Sequence, residues 1–197
     1  MLKKYAKALA ILWSVTGCAS LNYGATITFG GPLSGANEIP AVNTPATGFA
    51  TVTLDTVTQM LTIDLTFSNL TTDTVAAHIH CCVSPGENVG VATTVPAFPG
   101  FPLNVTSGSY MGVLDLTLAS SYNPAFVTAE GGTIPLAEAA FVAGFENEMT
   151  YLNIHTTQNP GGEIRAVLSP EPTSAALAGL ALAGLCMMRR RAGRWSK

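Results

Sequence analysis

Between residues 26 and 169 hydrophobic and polar side chains alternate with period two through most of the chain, the pattern of strands that bury one face. Residues 25–29 form a short strand that Gly30-Gly31-Pro32 ends, and residues 33–47 carry little periodicity, as loop or edge. Residues 48–54 set Ala50, Val52 and Leu54 against Phe49, Thr51 and Thr53. Residues 60–67 set Leu61, Ile63, Leu65 and Phe67 against Met60, Thr62, Asp64 and Thr66, with a hairpin connection over 55–59. Further strands fall at 75–82, 110–118, 150–156 and 163–169, the last two joined across Gln158-Asn159-Pro160-Gly161-Gly162. Residues 84–108 make a long surface excursion with a short strand at 89–95. Pro96, Pro99 and Pro102 rule out a central strand there, and Phe98 and Phe101 can fold down as a lid on the core. Residues 119–132 are irregular. Residues 135–145 form the one helix: Thr133 caps it, Pro135 opens it, and Leu136, Ala139, Ala140, Val142 and Ala143 make its apolar stripe. Short strands at even spacing with one short helix predict a mainly β fold, an antiparallel sandwich or barrel.

The two ends do not share this pattern. Residues 1–25 place Lys3, Lys4 and Lys7 before an apolar run at 8–15 and then small residues, the order of a secretory signal peptide handled by the Sec machinery. Cleavage after Ala19 or Ala25 ranks first, and Val15-Thr16-Gly17-Cys18 offers a lipobox as the alternative, with Cys18 lipidated. At the other end, 170–197, Pro170-Glu171-Pro172 precedes an apolar stretch at 173–188 and then Arg189-Arg190-Arg191. The stretch is at the short edge for a transmembrane helix across ~30 Å of hydrocarbon, and the arginines beyond it favour the cytoplasmic side. This three-part tail resembles the PEP-CTERM sorting signal of Gram-negative bacteria. The resemblance implies transient inner-membrane anchoring through 173–188, recognition by an exosortase, and delivery to the cell surface or extracellular matrix.

Taking the ends away changes the charge. Arg165 is the only lysine or arginine between residues 26 and 169, against eleven acids, a net −10. Such a body repels phosphate backbones, which excludes nucleic acid, and suits cations or a basic partner. Of four cysteines only Cys81 and Cys82 remain in it. They form a vicinal disulfide with each other or stay as free or metal-bound thiols.

Candidate chemistry concentrates in Ala77-His78-Ile79-His80-Cys81-Cys82 and in the 150–169 hairpin. In a strand, His78, His80 and Cys82 share one face and Ala77, Ile79 and Cys81 the other. In the hairpin, Leu152, Ile154, Ile164, Ala166 and Leu168 are the apolar set, with Tyr151, Asn153, His155, Glu163 and Arg165 opposite. Pairing His155 with Glu163 places Asn153 beside Arg165. Three imidazoles with water, a carboxylate or Cys82 as fourth ligand suffice for zinc or copper. On the other reading the histidines donate hydrogen bonds to Glu163 or to backbone, and Arg165 pairs with a carboxylate. The His-x-His strand is reminiscent of copper/zinc superoxide dismutase, but that site needs more histidines than the three in this chain. No serine sits in a G-x-S-x-G motif.

Four blocks in order, Leu33-Ser34-Gly35-Ala36-Asn37-Glu38-Ile39-Pro40, Gly48-Phe49-Ala50-Thr51, Ala77-His78-Ile79-His80, and Tyr151-Leu152-Asn153-Ile154-His155-Thr156 with Pro160-Gly161-Gly162-Glu163-Ile164-Arg165, resemble the CHRD domain. That family is named for chordin, a secreted antagonist of bone morphogenetic proteins. The resemblance covers about 28–168 and implies an immunoglobulin-like β-barrel with an extracellular, non-enzymatic role. Two positions depart from the family pattern: Cys81-Cys82 stands where many members carry Gly-Pro, and Ala166 where Gly is usual. The expectation is therefore a non-catalytic surface or matrix protein that binds an extracellular polymer or a surface protein. The alternative is a zinc- or copper-binding enzyme or metal-storage domain using His78, His80 and His155.

Overall fold

The computed structural model describes residues 26–171. The signal-peptide assignment at 1–25, Pro172, the apolar stretch at 173–188 and Arg189, Arg190 and Arg191 lie outside the described residues. Among the described residues no helix is long and apolar enough to cross a membrane.

The fold is mainly β, as the alternation implies. One antiparallel sheet is built from β1 (Thr26–Ser34), β2 (Thr47–Asp55), β3 (Met60–Ser68), β4 (Thr74–Cys81), β5 (Gly108–Asp115), β6 (Thr150–Thr156), β7 (Ile164–Val167) and β8 (Ser169–Pro170). The strands run in the order β4-β6-β7-β1-β2-β3-β5, with β8 also pairing β1. The sheet curls into a half-barrel, so a single continuous ladder takes the barrel-like form rather than the sandwich. Its concave face is the period-two apolar set: Phe29 and Leu33, Ala50, Val52 and Leu54, Leu61, Ile63 and Leu65, Ala77 and Ile79, Leu152 and Ile154, Ile164 and Ala166, all buried.

Two helices fill this face. α2 (Ile134–Glu146) presents Ala137, Phe141, Gly144 and Phe145 to the core, with Phe145 4.9 Å from both Phe29 and Phe141 between ring centroids. The expected stripe is out of phase, and Leu136 is 53 % exposed. Two phenylalanines at i and i+4 bury far more apolar area than a row of alanines and so set the helix rotation. Thr133 stands at the N-cap without a side-chain hydrogen bond. The stretch expected to be irregular contains α1 (Pro124–Ala129), started by Asn123, whose side chain accepts from the Ala125 amide, and by Pro124 in the first turn.

β1 also corrects the sequence expectation: it continues through Gly30-Gly31-Pro32 to Ser34. A Cβ on Gly31 would collide with the Val167 carbonyl, so the glycine is what lets β7 approach at that point. Residues 163–169, expected as one strand, divide between β7 and β8, with the Leu168 amide bonded to the Thr150 carbonyl at 3.2 Å.

The excursion after β4 protects an edge. Amides of Ala92 and Phe98 donate to the Ile79 and Ala77 carbonyls, the Thr74 amide donates to the Val105 carbonyl, and the Asn104 amide donates to the Thr74 carbonyl. Within it the expected strand at 89–95 is reduced to isolated bridges, His80 with Val91 and Thr93 with Tyr122. Phe98 and Phe101 are buried against Tyr110 of β5, each 5.7 Å from its ring. This lid spans the gap between the two end strands, β4 and β5, and leaves the β4 edge no free row of donors and acceptors.

Candidate functional site

The chemistry lies on the other side of β4, β6 and β7. Register puts His78 opposite Asn153 and Asn153 opposite Arg165, and Arg165 opposite Ser34 of β1, so one cross-strand row carries three polar side chains side by side. His80 pairs with Tyr151 in the next row, and their rings stack at 4.5 Å. A half-buried antiparallel sheet turns such a face to water. Here all seven residues of β6 are buried on both faces. The cover is irregular chain: the turn at 35–37 with Glu38, residues 39–44, residues 84–89 and residues 157–163. Gly162 sits at φ +122 with its Cβ position filled by the side chains of Glu38 and Asn153, which is why a glycine stands at the end of Pro160-Gly161-Gly162.

Three polar groupings result. In the first, a histidine cluster, the rings of His78 and His155 are 4.5 Å apart and those of His78 and His80 4.8 Å. One ligand nitrogen of each of the three falls within 4.8 Å of the others. His80 Nδ1 faces the Val89 carbonyl at 2.6 Å and His155 Nδ1 the Pro160 carbonyl at 2.9 Å. The Nε2 atoms of both rings point at one atom, Asn153 Oδ1, at 3.1 and 2.9 Å. His78 Nδ1 is buried with no hydrogen-bond partner. Burial, then the neighbouring imidazoles, pushes His78 down to about 2. Burial takes His80 down to about 4 against the bond it donates to the Val89 carbonyl, and lowers His155 as well. All three are neutral imidazoles at pH 7.

The second grouping is a buried ion pair. Arg165 Nη2 lies 2.9 Å from Glu38 Oε2 and its Nε donates to the same oxygen at 3.0 Å. The guanidinium lies over the Tyr151 ring at 3.8 Å and Nη2 also donates to Asn88 Oδ1 at 2.5 Å. Burial raises the Glu38 carboxyl, and Arg165 pulls it part of the way back. The carboxylate that pairs Arg165 is thus Glu38, brought from 127 residues away. The third grouping is Glu163, whose carboxylate accepts from Thr44 Oγ1 at 2.6 Å, Thr156 Oγ1 at 2.7 Å, and the Thr71 amide and hydroxyl at 2.8 and 2.9 Å. Burial works to raise its carboxyl, but these donors outweigh it and hold it below the usual carboxylate range. Glu163 therefore does not serve His155, which turns to the Pro160 carbonyl instead.

Cys82 also leaves the candidate ligand set. It is joined to Cys81 as a vicinal disulfide, and its sulfur lies 3.5 Å from the Ala140 carbonyl of α2, on the apolar side. The disulfide seats against Gly144, where a Cβ would strike the Cys81 sulfur. Strand alternation fails at Cys82 because β4 ends at Cys81.

Pro170 and Glu171 of the tail motif are stitched to the sheet: Pro170 pairs with Phe29, and the Glu171 amide donates to the Thr28 carbonyl at 2.9 Å. A cleft of about 270 Å³ opens beside the ion pair, walled by Tyr151, Arg165, Met149 and Val167, with Glu87 and Glu148 exposed at its rim. Sequence reasoning quoted Glu38 only within a motif block and missed Asn88, Thr44 and Thr71 as partners of the site. A lone arginine in the body signalled a buried ion pair, but nothing in the spacing singled out Glu38 among eleven acids.

A curled antiparallel β-domain with a polar row sealed under its loops is the class that fold and site define. The chain belongs to the CHRD domain family, whose model matches residues 29–168. No curated protein and no solved structure matches the chain.

Proposed function

We propose that this CHRD-domain chain is an exported binding module of the bacterial surface or extracellular matrix, without catalysis of its own. The observation that carries the reading is the family match across 29–168, which takes in most of β1 and all of β2 to β7. The secretory start at 1–25 and the Pro170-Glu171-Pro172, apolar and arginine tail supply the route, through Sec and then an exosortase. The cleft beside Tyr151 and Arg165 is the binding face. The exposed carboxylates of Glu87 and Glu148 at its rim, on a body with one arginine, favour a partner with basic groups, a surface protein or an amine-bearing polymer, and disfavour nucleic acid.

Fractionation of cells carrying the full chain, the chain without 170–197, and the Glu87→Gln/Glu148→Gln variant tests this. The full chain is expected at the surface or in the matrix and to come off at high ionic strength. The truncated chain is expected to stay in the periplasm or be lost to the medium, and the double variant to wash off at lower salt. Surface retention of the truncated chain would sink the sorting assignment. Salt-indifferent retention of both full-length forms would sink the electrostatic one.

A further inference from the structure

We propose that His78, His80, His155 and Asn153 form a binding site for one divalent first-row transition ion, zinc or copper. The proposal stands apart from the binding-module reading and does not need it.

The site has too few hydrogens for its contacts. The Val89 and Pro160 carbonyls can only accept, so the Nδ1 atoms of His80 and His155 must donate to them. A neutral imidazole has one N–H. Both Nε2 atoms therefore present bare lone pairs, and both aim at Asn153 Oδ1, another acceptor, at 3.1 and 2.9 Å. Turning the amide over gives the two rings its N–H groups, but then sets its oxygen against the Glu38 carboxylate, 3.4 Å from the atom it replaces. Two acceptor–acceptor contacts as the amide stands, or one with it turned over, remain in a buried site, where an unmatched polar group is costly. A cation at the convergence point removes the conflict with the amide as it stands. His78, with its Nδ1 buried and unpartnered, borders the same point and completes three imidazoles and an amide oxygen.

The spacing around Asn153 Oδ1 is also compatible with an ion. Two ligands about 2.0–2.1 Å from a tetrahedral zinc lie ~3.4 Å apart. The Nε2–Oδ1 pairs are already near that separation, and the three ring nitrogens, all within 4.8 Å of one another, have to draw closer by small ring rotations. The Nδ1–carbonyl bonds of His80 and His155 are the outer contacts that fix the tautomer a metal needs. The neighbouring Arg165 would repel a cation were it bare, but Glu38 neutralises it at 2.9 Å. Imidazole and amide ligands without a carboxylate favour zinc or copper over calcium or magnesium.

The test uses the full-length protein in detergent, stripped with a chelator and titrated with zinc, copper(II) and, as control, calcium. Expected is one equivalent of zinc or copper at submicromolar affinity, with no competition from calcium. His78→Leu should weaken binding by about a hundredfold or more, since even contacts behind a ligand are worth 10–100-fold. Asn153→Asp should tighten it, because a charged oxygen replaces a neutral one at the same place. Absence of stoichiometric binding, equal binding of calcium, or unchanged affinity in His78→Leu overturns the proposal. Should a variant lose its fold, cobalt(II) in the wild-type protein decides. Intense tetrahedral d–d absorption with paramagnetically shifted imidazole resonances supports the site, and the spectrum of the hydrated ion overturns it.

Discussion

Two polar groups lie buried on the same side of this sheet and are built on opposite principles. Around Glu163, every acceptor has a donor: Thr44, Thr71 and Thr156 bring three hydroxyls and an amide to one carboxylate. Around His78, His80 and His155, acceptors outnumber donors, and one nitrogen is left with nothing. The first arrangement closes on itself and joins three remote segments of chain. The second is incomplete, and folded proteins keep few incomplete buried polar groups without a use for them. The difference separates a structural device from a candidate site more sharply than residue type does, since a glutamate and a histidine are equally common suspects.

Acidification should pull the two apart most strongly. His78 and His80 fall from the ordinary 6.5 to about 2 and about 4 in the fold. Below 6.5 the unfolded chain therefore binds more protons than the native one, and stability is lost as the pH falls from 6.5 toward those values. Each imidazole contributes up to about 3 kcal/mol by pH 4 in the metal-free protein. Glu163 is lowered from 4.5, so its contribution is complete above that value and disappears only as the pH falls through its lower folded one. Urea midpoints from pH 8 to 3 should decline first between 6.5 and 4, and a flat curve across that window would contradict the neutral-histidine assignment.

Glu163→Ala comes next in size. It strands the Thr44, Thr71 and Thr156 donors and unties residues 44 and 71 from the hairpin, at about 4 kcal/mol or more, a large part of the stability of a domain this size. A loss under ~1 kcal/mol in chemical denaturation would mean that the cage is surface decoration. Arg165→Met is expected at about 3 kcal/mol, because it leaves Glu38 buried without its cation. Adding Glu38→Leu should recover part of the loss. A double variant no better than the single one would place the cost in the lost packing on Tyr151 instead.

Much of the fold was legible. Period two located six of the strands and assigned Ile79, Leu152, Ile154 and Ile164 to the core, because side-chain direction in a strand follows from position alone. The Asn153–Arg165 pairing of the hairpin was also legible, whereas the register that sets His78 beside Asn153 was not. Nor was the burial of this row: the cover at 35–44, 84–89 and 157–163 has no periodicity to read, and Thr44 and Thr71 find Glu163 only through the folded chain. Where local pattern and bulk disagreed, bulk won, as Phe141 and Phe145 rotated α2 away from its alanine stripe. Where covalent chemistry intruded, at Cys81–Cys82, alternation stopped. The metal question could be framed from His-x-His but not argued, since the argument turns on the acceptors Val89, Pro160 and Asn153, which no spacing reveals.

His78→Leu is the smallest expected effect and the sharpest use of the contrast. A buried nitrogen without a partner costs about 1–3 kcal/mol, and replacing it by an apolar side chain of similar size recovers that cost while keeping the ring's packing volume. In metal-free protein the variant should therefore be as stable as the wild type or up to ~1 kcal/mol more stable, where the corresponding change at Glu163 is ruinous. It should also flatten part of the stability loss between pH 6.5 and 4. Saturating zinc or copper should reverse the ranking, since a ligand that binds only the native state stabilises by about 2.7 kcal/mol at a hundred times its dissociation constant, and the variant has given up that binding. Thermal melts of both proteins with and without metal read the crossing directly. If His78→Leu instead destabilises the metal-free protein by more than ~2 kcal/mol, His78 has a partner that the geometry does not give it, and the histidine cluster belongs with Glu163 as part of the scaffold.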